Sequence, residues 1–332
     1  MRITIITPSY QQAAYLPECL ASVRAQAGAE VEHIVVDGGS TDGSRELLER
    51  AEGLAWWCSE RDKGQSDAIN KGLARATGEV CTWVNSDDAV WPGALARVAE
   101  AFAHDKELLA FGGRLMHRSA EGDTVFPRLS DATDTLRLYC EPVINQPATY
   151  LRTSAVKAVG GVDPALRYVM DLELWWQLLF RFGHAHLRFT PEVLAMFRLH
   201  EESKTVTAHA GFLAETATLL HGMCVGTGQP ALARVLALAH PLVQGLRGVP
   251  VGEEHAPLVR DMAVHFLLKW HGHVHERADH RAMKALRRAV RRDQLRFVDA
   301  AMAARWDALD RQLAIPSWTL FRLRRKLRHL RR

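Results

Sequence analysis

Cysteine is scarce in this chain, five residues in 332, and the number is odd. Cys19, Cys58, Cys81, Cys140 and Cys224 lie far apart and form no Cys-x-x-Cys pair, so neither a disulfide framework nor a thiolate zinc site is indicated and a reducing cytoplasm fits best. Long apolar runs are also missing. The nearest candidate, Ala231 to Leu246, is broken by Arg234, His240 and Pro241, and falls short of the roughly 18 to 20 residues of a membrane span. The opening MRITIITPSY has too short an apolar run for a signal peptide and reads as a first strand. No Gly-x-Gly-x-x-Gly follows that strand and no P-loop signature occurs anywhere, which counts against dinucleotide and P-loop chemistry.

A net charge of one sign is lacking too: 42 Lys plus Arg face 38 Asp plus Glu, for a total of +4. The balance hides an asymmetry. Residues 281–332 carry 16 basic and 4 acidic side chains, so a tail of +12 follows a body of −8. What is abundant is core material: 48% of the residues are hydrophobic, with 9 Trp and 11 Phe, enough for a sizeable interior in one large domain plus an appendage, or in two domains.

The first ninety residues alternate buried-strand and helix patterns. Ile3 to Thr7, Val31 to Val36, Ala55 to Cys58 and Val80 to Val84 read as strands. Between them, Tyr15 to Gln26, Ser44 to Glu52 and Ser66 to Ala76 read as helices. This rhythm predicts an α/β domain with a mainly parallel sheet covered on both faces. Asp171 to Phe182 reads as a further helix, with an apolar stripe of Leu172, Trp175, Trp176, Leu179 and Phe180. Beyond about Thr207 only helical patterns occur, so the expected division is a first domain of residues 1–207 and an α-helical C-terminal region of 208–332.

In such sheets ligands bind at the carboxyl ends of the strands, and here carboxylates crowd those ends. The sharpest signal is Trp83-Val84-Asn85-Ser86-Asp87-Asp88, adjacent acids released from a buried strand. Two neighbouring buried anions cost several kcal/mol unless a cation or a set of donors offsets them, and a hard divalent metal is the economical answer. A solvated turn capping the next helix is the plain alternative.

The ordered series TPSYQQAAYL, VVDGGSTDGS, SERDKGQSDAINKGLARATGE, WVNSDDAVWPGAL, NQPATYLRTSAVKAVGGVDPALRYVMDLELW and FRLHEESKT resembles the inverting, metal-dependent glycosyltransferases of family 2. The likeness runs over residues 1 to about 205 and implies the GT-A fold, Rossmann-like with flanking helices. It also implies transfer of a sugar from a nucleoside diphosphate sugar, UDP-sugars favoured, to a hydroxyl of a glycan or lipid-linked glycan. By that resemblance Asp37 receives the nucleobase, usually uracil, with Thr7, Pro8 and Ser9 lining the same pocket; the plain alternative for Asp37, beside Gly38-Gly39, is a turn-forming residue. Gln65, Asp67 and Asn70 reach the ribose or donor sugar, although Ile69 stands where the family often has a diphosphate-binding Arg.

The family's Asp-x-Asp motif falls on Asn85-Ser86-Asp87, so Asp87 becomes the metal ligand while Asn85, a weaker amide ligand, hydrogen-bonds a ribose hydroxyl. Ser86 belongs to the same donor-binding turn, and Asp88 either holds a metal-bound water or caps the next helix. His200 completes the metal site, and an imidazole ligand favours Mn²⁺ over Mg²⁺. Lys204 neutralises diphosphate charge. Asp171 matches the catalytic base, with Met170 in place of the usual preceding Glu and Glu173 as a second carboxylate in reserve. A single base on the far side of the anomeric carbon makes the attack direct and the product inverted.

His271, His273 and His275 look like a metal tract, but alternate positions on a helix do not share a face. The tail from Phe321 to Arg332 sets Leu323, Leu327 and Leu330 among cations. It suits an anionic lipid surface at the inner face of the membrane, or a plain solvated end, better than nucleic acid, since no aromatics are interleaved. The competing functional readings are a sugar-1-phosphate nucleotidyltransferase, whose glycine-rich basic first loop is missing after Ile6, and a degenerate glycan- or membrane-binding module.

Overall fold

The β-branched run at the start of the chain becomes β1 (Arg2–Ser9), buried from Ile3 onward because it is hydrogen-bonded along both edges. In the computed structural model, which describes residues 1–200, 209–274, 276–313 and 318–320, β2 (Glu30–Asp37) and β4 (Val80–Trp83) flank β1 in parallel. β3 (Trp56–Ser59) continues the sheet beyond β2. The crossovers are made by α1 (Leu16–Arg24), α2 (Ser44–Glu49) and α3 (Gln65–Arg75). Leu16, Cys19 and Val23 of α1 fall on one face and are buried, which is what fixes that helix against the sheet.

Past β4 the sheet becomes mixed. Its order is β3-β2-β1-β4-β8-β6-β9-β5, with β7 (Gly122–Val125) paired to β6 (Ala110–Ser119). β8 (Thr149–Arg152) runs antiparallel to β4 and β6, and β9 (Leu187–Arg198) runs parallel to β6. The two-residue strand β5 (Ala89–Val90) lies antiparallel to β9. The hairpin of β6 and β7 closes in a tight turn, a connection open only to antiparallel neighbours. Helices α4 (Ala94–His104), α5 (Thr135–Cys140), α6 (Thr153–Ala158) and α7 (Met170–Phe182) complete this part of the chain. Its main core gathers Ile3, Ile5, Leu95, Val98, Phe102, Leu108, Phe111 and Tyr150.

The chain divides into two compact units, Met1–Leu138 with Pro142–His209, and Tyr139–Glu141 with the residues from Ala210 onward. Among the described residues the second unit is built on α8 (His209–Gly226), α9 (Pro230–Ala239), α10 (Ala256–His271), α11 (Arg277–Ala289) and α12 (Ala300–Leu313). Its interior holds Leu220, Met223, Leu236, Leu267, Leu286 and a fully buried Trp306, over which the Arg287 guanidinium lies at 4.3 Å. No helix among the described residues is long and apolar enough to cross a membrane. The basic tail of residues 321–332 lies outside the described residues.

Two features of register place the polar residues. Ser9 is paired with Asp37 and Asp37 with Ser59, so the last residues of β1, β2 and β3 stand in one row. At the other side, Ala89 pairs with Met196 and Val90 with Ala195 in antiparallel sense. Asp87 and Asp88, just before β5, are thereby brought beside Arg198 and His200 at the far end of β9.

Candidate active site

Asp37, at the end of β2, is fully buried and saturated with donors. Its Oδ2 accepts from the Gly39 N–H at 3.1 Å, the Ser40 N–H at 2.9 Å and the Ser59 hydroxyl at 2.6 Å, and its Oδ1 accepts from the Ser40 hydroxyl at 2.5 Å. A carboxylate offers about four such positions, and donors from the turn and from β3 take as many here, so in this structure Asp37 organises the turn. Thr7 is also withdrawn from the expected pocket. It is fully buried, with its hydroxyl 3.0 Å from His33 Nε2 and 3.8 Å from Cys19 Sγ. Burial pushes the His33 imidazole down to about 4, which keeps this inner cluster uncharged. Pro8 lies in β1 opposite Val36. Ser9 differs from Thr7: its Oγ is buried with no hydrogen-bond partner, an open polar valence at the end of β1.

In the loop leading to α3, Gln65 Nε2 donates to Asn85 Oδ1 at 2.7 Å, linking the third strand's loop to the fourth strand's end. Asp67 turns back to its own loop, accepting from the Lys63 N–H at 3.2 Å with the Lys71 ammonium at 3.6 Å. Asn70 is engaged elsewhere in this structure: its amide nitrogen donates to the Val162 carbonyl at 2.8 Å and its oxygen accepts from the Val162 N–H at 3.1 Å, so both ends staple α3 to the 160–163 turn.

After β4, Asn85 Nδ2 donates to Asp88 Oδ2 at 3.3 Å, and the buried Ser86 donates to Gln12 Oε1 at 2.8 Å. Asp88 is 2% exposed and accepts from the Arg198 N–H at 3.1 Å. Burial, and then the charge of adjacent Asp87, hold its carboxyl well above the usual carboxylate range. Arg198 donates to the Asp87 carbonyl at 3.1 Å, pairs with Glu18, and lies 5.1 Å over the Tyr15 ring. Asp87 Oδ2 meets His200 Nε2 at 3.0 Å across 113 residues of sequence. The histidine ring also lies 5.3 Å from that of Tyr15.

Asp171 sits in the first turn of α7, where the helix dipole favours an anion, and its Oδ1 accepts from the Leu172 N–H at 2.8 Å. Burial pushes its carboxyl up to about 6. It lines a narrow crevice with Trp83, Gln146 and Trp175, so the end of β4 and the start of α7 share a wall. Glu173 faces inward instead, fully buried and bonded to Gln177, which removes it as a base in reserve. Lys204 lies outside the described residues, as does His275 of the histidine tract. His271 pairs with Asp279 at 2.7 Å and with His240 at 2.8 Å, and no group of three ligating side chains occurs among the described residues.

With this geometry in view, comparison with known proteins is decisive for the family. Residues 4–155 match the sequence family described as Glycosyl transferase family 2. The chain belongs to that family. An uncharacterized glycosyltransferase of Mycobacterium tuberculosis is similar to this family 2 chain, 32% identical over 176 residues, which are 52% of this chain and 66% of the relative. The chain spans between 33% and 66% of the length of these curated relatives. Two solved structures share the GT-A fold. S. aureus TarS 1-349 in complex with UDP-GlcNAc has a TM-score of 0.58 at 16% identity, covering 94% of this chain and 90% of that one. The mannosyltransferase PcManGT from Pyrobaculum calidifontis, in complex with GDP-Man and Mn2+, has a TM-score of 0.52 at 18% identity, covering 92% and 79%.

Sequence reasoning placed Tyr10 and Asp62 within the strand-end stretches without giving either a role, and singled out neither Gln12 nor Arg198. Tyr10 and Gln12 directly follow the Thr-Pro-Ser strand end, and Asp62 lies in the polar loop before α3, so position alone was a usable signal. Arg198 had none, because only the antiparallel pairing of β5 with β9 carries it to Asp88.

Proposed function

We propose that this chain transfers a sugar from a nucleoside diphosphate sugar to an acceptor hydroxyl with inversion, Asp171 acting as general base. Residues 1–207 are the catalytic domain in this reading and 208–332 a helical appendage. The observation that carries it is the pairing of Asp87 with His200 at 3.0 Å in the same turn that holds the charge-strained Asp88. A carboxylate oxygen and an imidazole nitrogen facing one another suit a shared divalent cation, Mn²⁺ before Mg²⁺. The similar mannosyltransferase, in complex with GDP-Man and Mn2+, supports divalent-metal dependence. When bound, the cation supplies Lewis-acid stabilisation of the departing diphosphate.

The chain's own residues do the rest. Asn85, held by Gln65 and beside Asp88, presents its amide at the strand end where a ribose lies in the family resemblance. Asp171 takes the proton of the attacking hydroxyl, and a carboxyl raised to about 6 is a stronger base than an ordinary aspartate while remaining ionised near neutrality. The similar structure with UDP-GlcNAc supports a UDP-sugar donor. The +12 charge of residues 281–332 supports a lipid-linked acceptor met at an anionic membrane face.

The test is donor turnover with Mn²⁺. Asp87→Ala is expected to abolish metal-dependent hydrolysis of the donor in the absence of acceptor, and His200→Ala to lower it and raise the metal concentration needed. Metal-dependent turnover that survives both substitutions would remove the cation from this turn.

A further inference from the structure

With Asp37 saturated, the row of strand ends needs another acceptor if it is to recognise the hydrogen-bonding edge of a base, and the loop after β3 holds one. Gly38 and Gly39 seat that loop across the turn after β2. Gly39 has φ +82° and comes so close to the loop that a Cβ on it would lie 3.1 Å from Arg61 N. A Cβ on Gly38 would lie 3.1 Å from Asp62 Oδ2, 3.3 Å from Asp62 Oδ1 and 3.1 Å from the Tyr10 ring. A carboxylate and an aromatic side chain therefore converge over a peptide that has no side chain of its own.

The two partners are differently occupied. Asp62 Oδ1 accepts from the Gly64 N–H at 2.8 Å, which fixes the carboxylate's orientation. Its Oδ2 accepts no hydrogen bond from any described residue. Tyr10 is 63% exposed, so its ring stands open beside Gly38, within reach of a flat base approaching the strand ends.

Resting on the donor-site reading above, we propose that Asp62, and not Asp37, is the carboxylate that reads the nucleobase, accepting the imide N–H of a uracil-type base packed against Tyr10. Uracil places a donor at N3, between two carbonyls. Cytosine places a lone pair at the same atom, so a fixed carboxylate rejects it by repulsion as well as by the missing bond. Asp62 thus discriminates between two pyrimidines of nearly equal size and stacking strength. A residue with a merely structural role would weaken both equally.

Titration calorimetry of UDP, CDP and GDP with Mn²⁺ on the full chain tests this, with Asp62→Asn, Asp62→Ala and Gly38→Ala beside the wild type. The wild type is expected to prefer UDP. Asp62→Ala should weaken UDP about tenfold, the loss of one hydrogen bond to a charged acceptor, while CDP binding rises as the repulsion is lifted. Asp62→Asn keeps the Gly64 contact through its carbonyl and turns an amide NH₂ toward the base, so the UDP to CDP ratio should collapse or invert. Gly38→Ala, which pushes the Asp62 carboxylate and the Tyr10 ring aside by a few tenths of an ångström, should weaken UDP while the fold stays intact by circular dichroism. A UDP to CDP ratio unchanged in both Asp62 variants overturns the assignment. A wild type that prefers GDP overturns the choice of uracil. If the wild type binds no nucleoside diphosphate at all, the donor-site reading fails, a result distinct from the other two.

Discussion

Asp37 and Asp171 stand at the ends of secondary-structure elements, one closing β2 and the other opening α7, and their surroundings are opposite. Asp37 is fully buried beneath four donors from Gly39, Ser40 and Ser59. Asp171 is half-buried in the wall of a crevice, its hydrogen bond comes from the neighbouring Leu172 N–H, and desolvation pushes its carboxyl up to about 6. A buried carboxylate that is saturated has become architecture, whereas one that is under-supported keeps its affinity for a proton. In the proposed reading, the contrast separates the turn that shapes the nucleotide end of the sheet from the group set to take a proton.

The largest effect should come from Asp171→Asn. Transfer is expected to fall by about 10²–10⁴-fold, the usual contribution of a general base, with nucleotide binding retained. The same substitution should stabilise the protein above pH 6. The folded carboxyl at about 6 lies above its unfolded value of about 3.9, so stability is fully present below the unfolded value and is lost as pH rises toward 6. The linked penalty at pH 7.5 is about 2 to 3 kcal/mol, and Asp171→Asn removes it. Melting curves at pH 7.5 and pH 4 should therefore differ: a gain at the first, none at the second. For the wild type, kcat/KM should drop tenfold per pH unit below about 6. Undiminished transfer by the variant, or a rate independent of pH between 5 and 7, would break the contrast from this side.

Asp37→Ala probes the other side. It strands the Gly39 and Ser40 amides and the Ser40 and Ser59 hydroxyls around an empty site, and about 3 kcal/mol of stability should go with them. Urea unfolding measures this directly. A variant that unfolds at the wild-type midpoint but no longer binds UDP would return Asp37 to the role of base reader.

Sequence and structure agree best where strands are parallel and covered on both faces. Such strands carry uninterrupted β-branched runs, as in Ile3 to Thr7 and Val31 to Val36, and these are visible without a structure. The mixed half of the sheet was not visible. β6 contains Gly112-Gly113 and β9 contains Pro191, and the pairing of the two shifts register at those glycines, so neither strand alternates cleanly. The site shows the same limit. Motif order located the carboxylates at the strand ends, but whether their oxygens are free depends on partners distant in sequence, such as Ser59 for Asp37 and Val162 for Asn70.

The smallest predicted effect sharpens the comparison from a neutral residue. Asn70 stands one helical turn beyond Asp67, where the family likeness led toward the donor, yet both of its amide atoms are bonded to the backbone of Val162. It belongs with Asp37 rather than with Asp171: a polar side chain with both amide atoms engaged inside the protein. Asn70→Ala should therefore cost about 1 to 2 kcal/mol of stability, the loss of two neutral hydrogen bonds at a half-buried position. The KM for donor should stay within twofold of the wild type at a temperature where both are folded. A change in KM with no loss of stability would place Asn70 among the ligand-facing groups, and would show that a doubly bonded side chain can release its partners when the donor arrives.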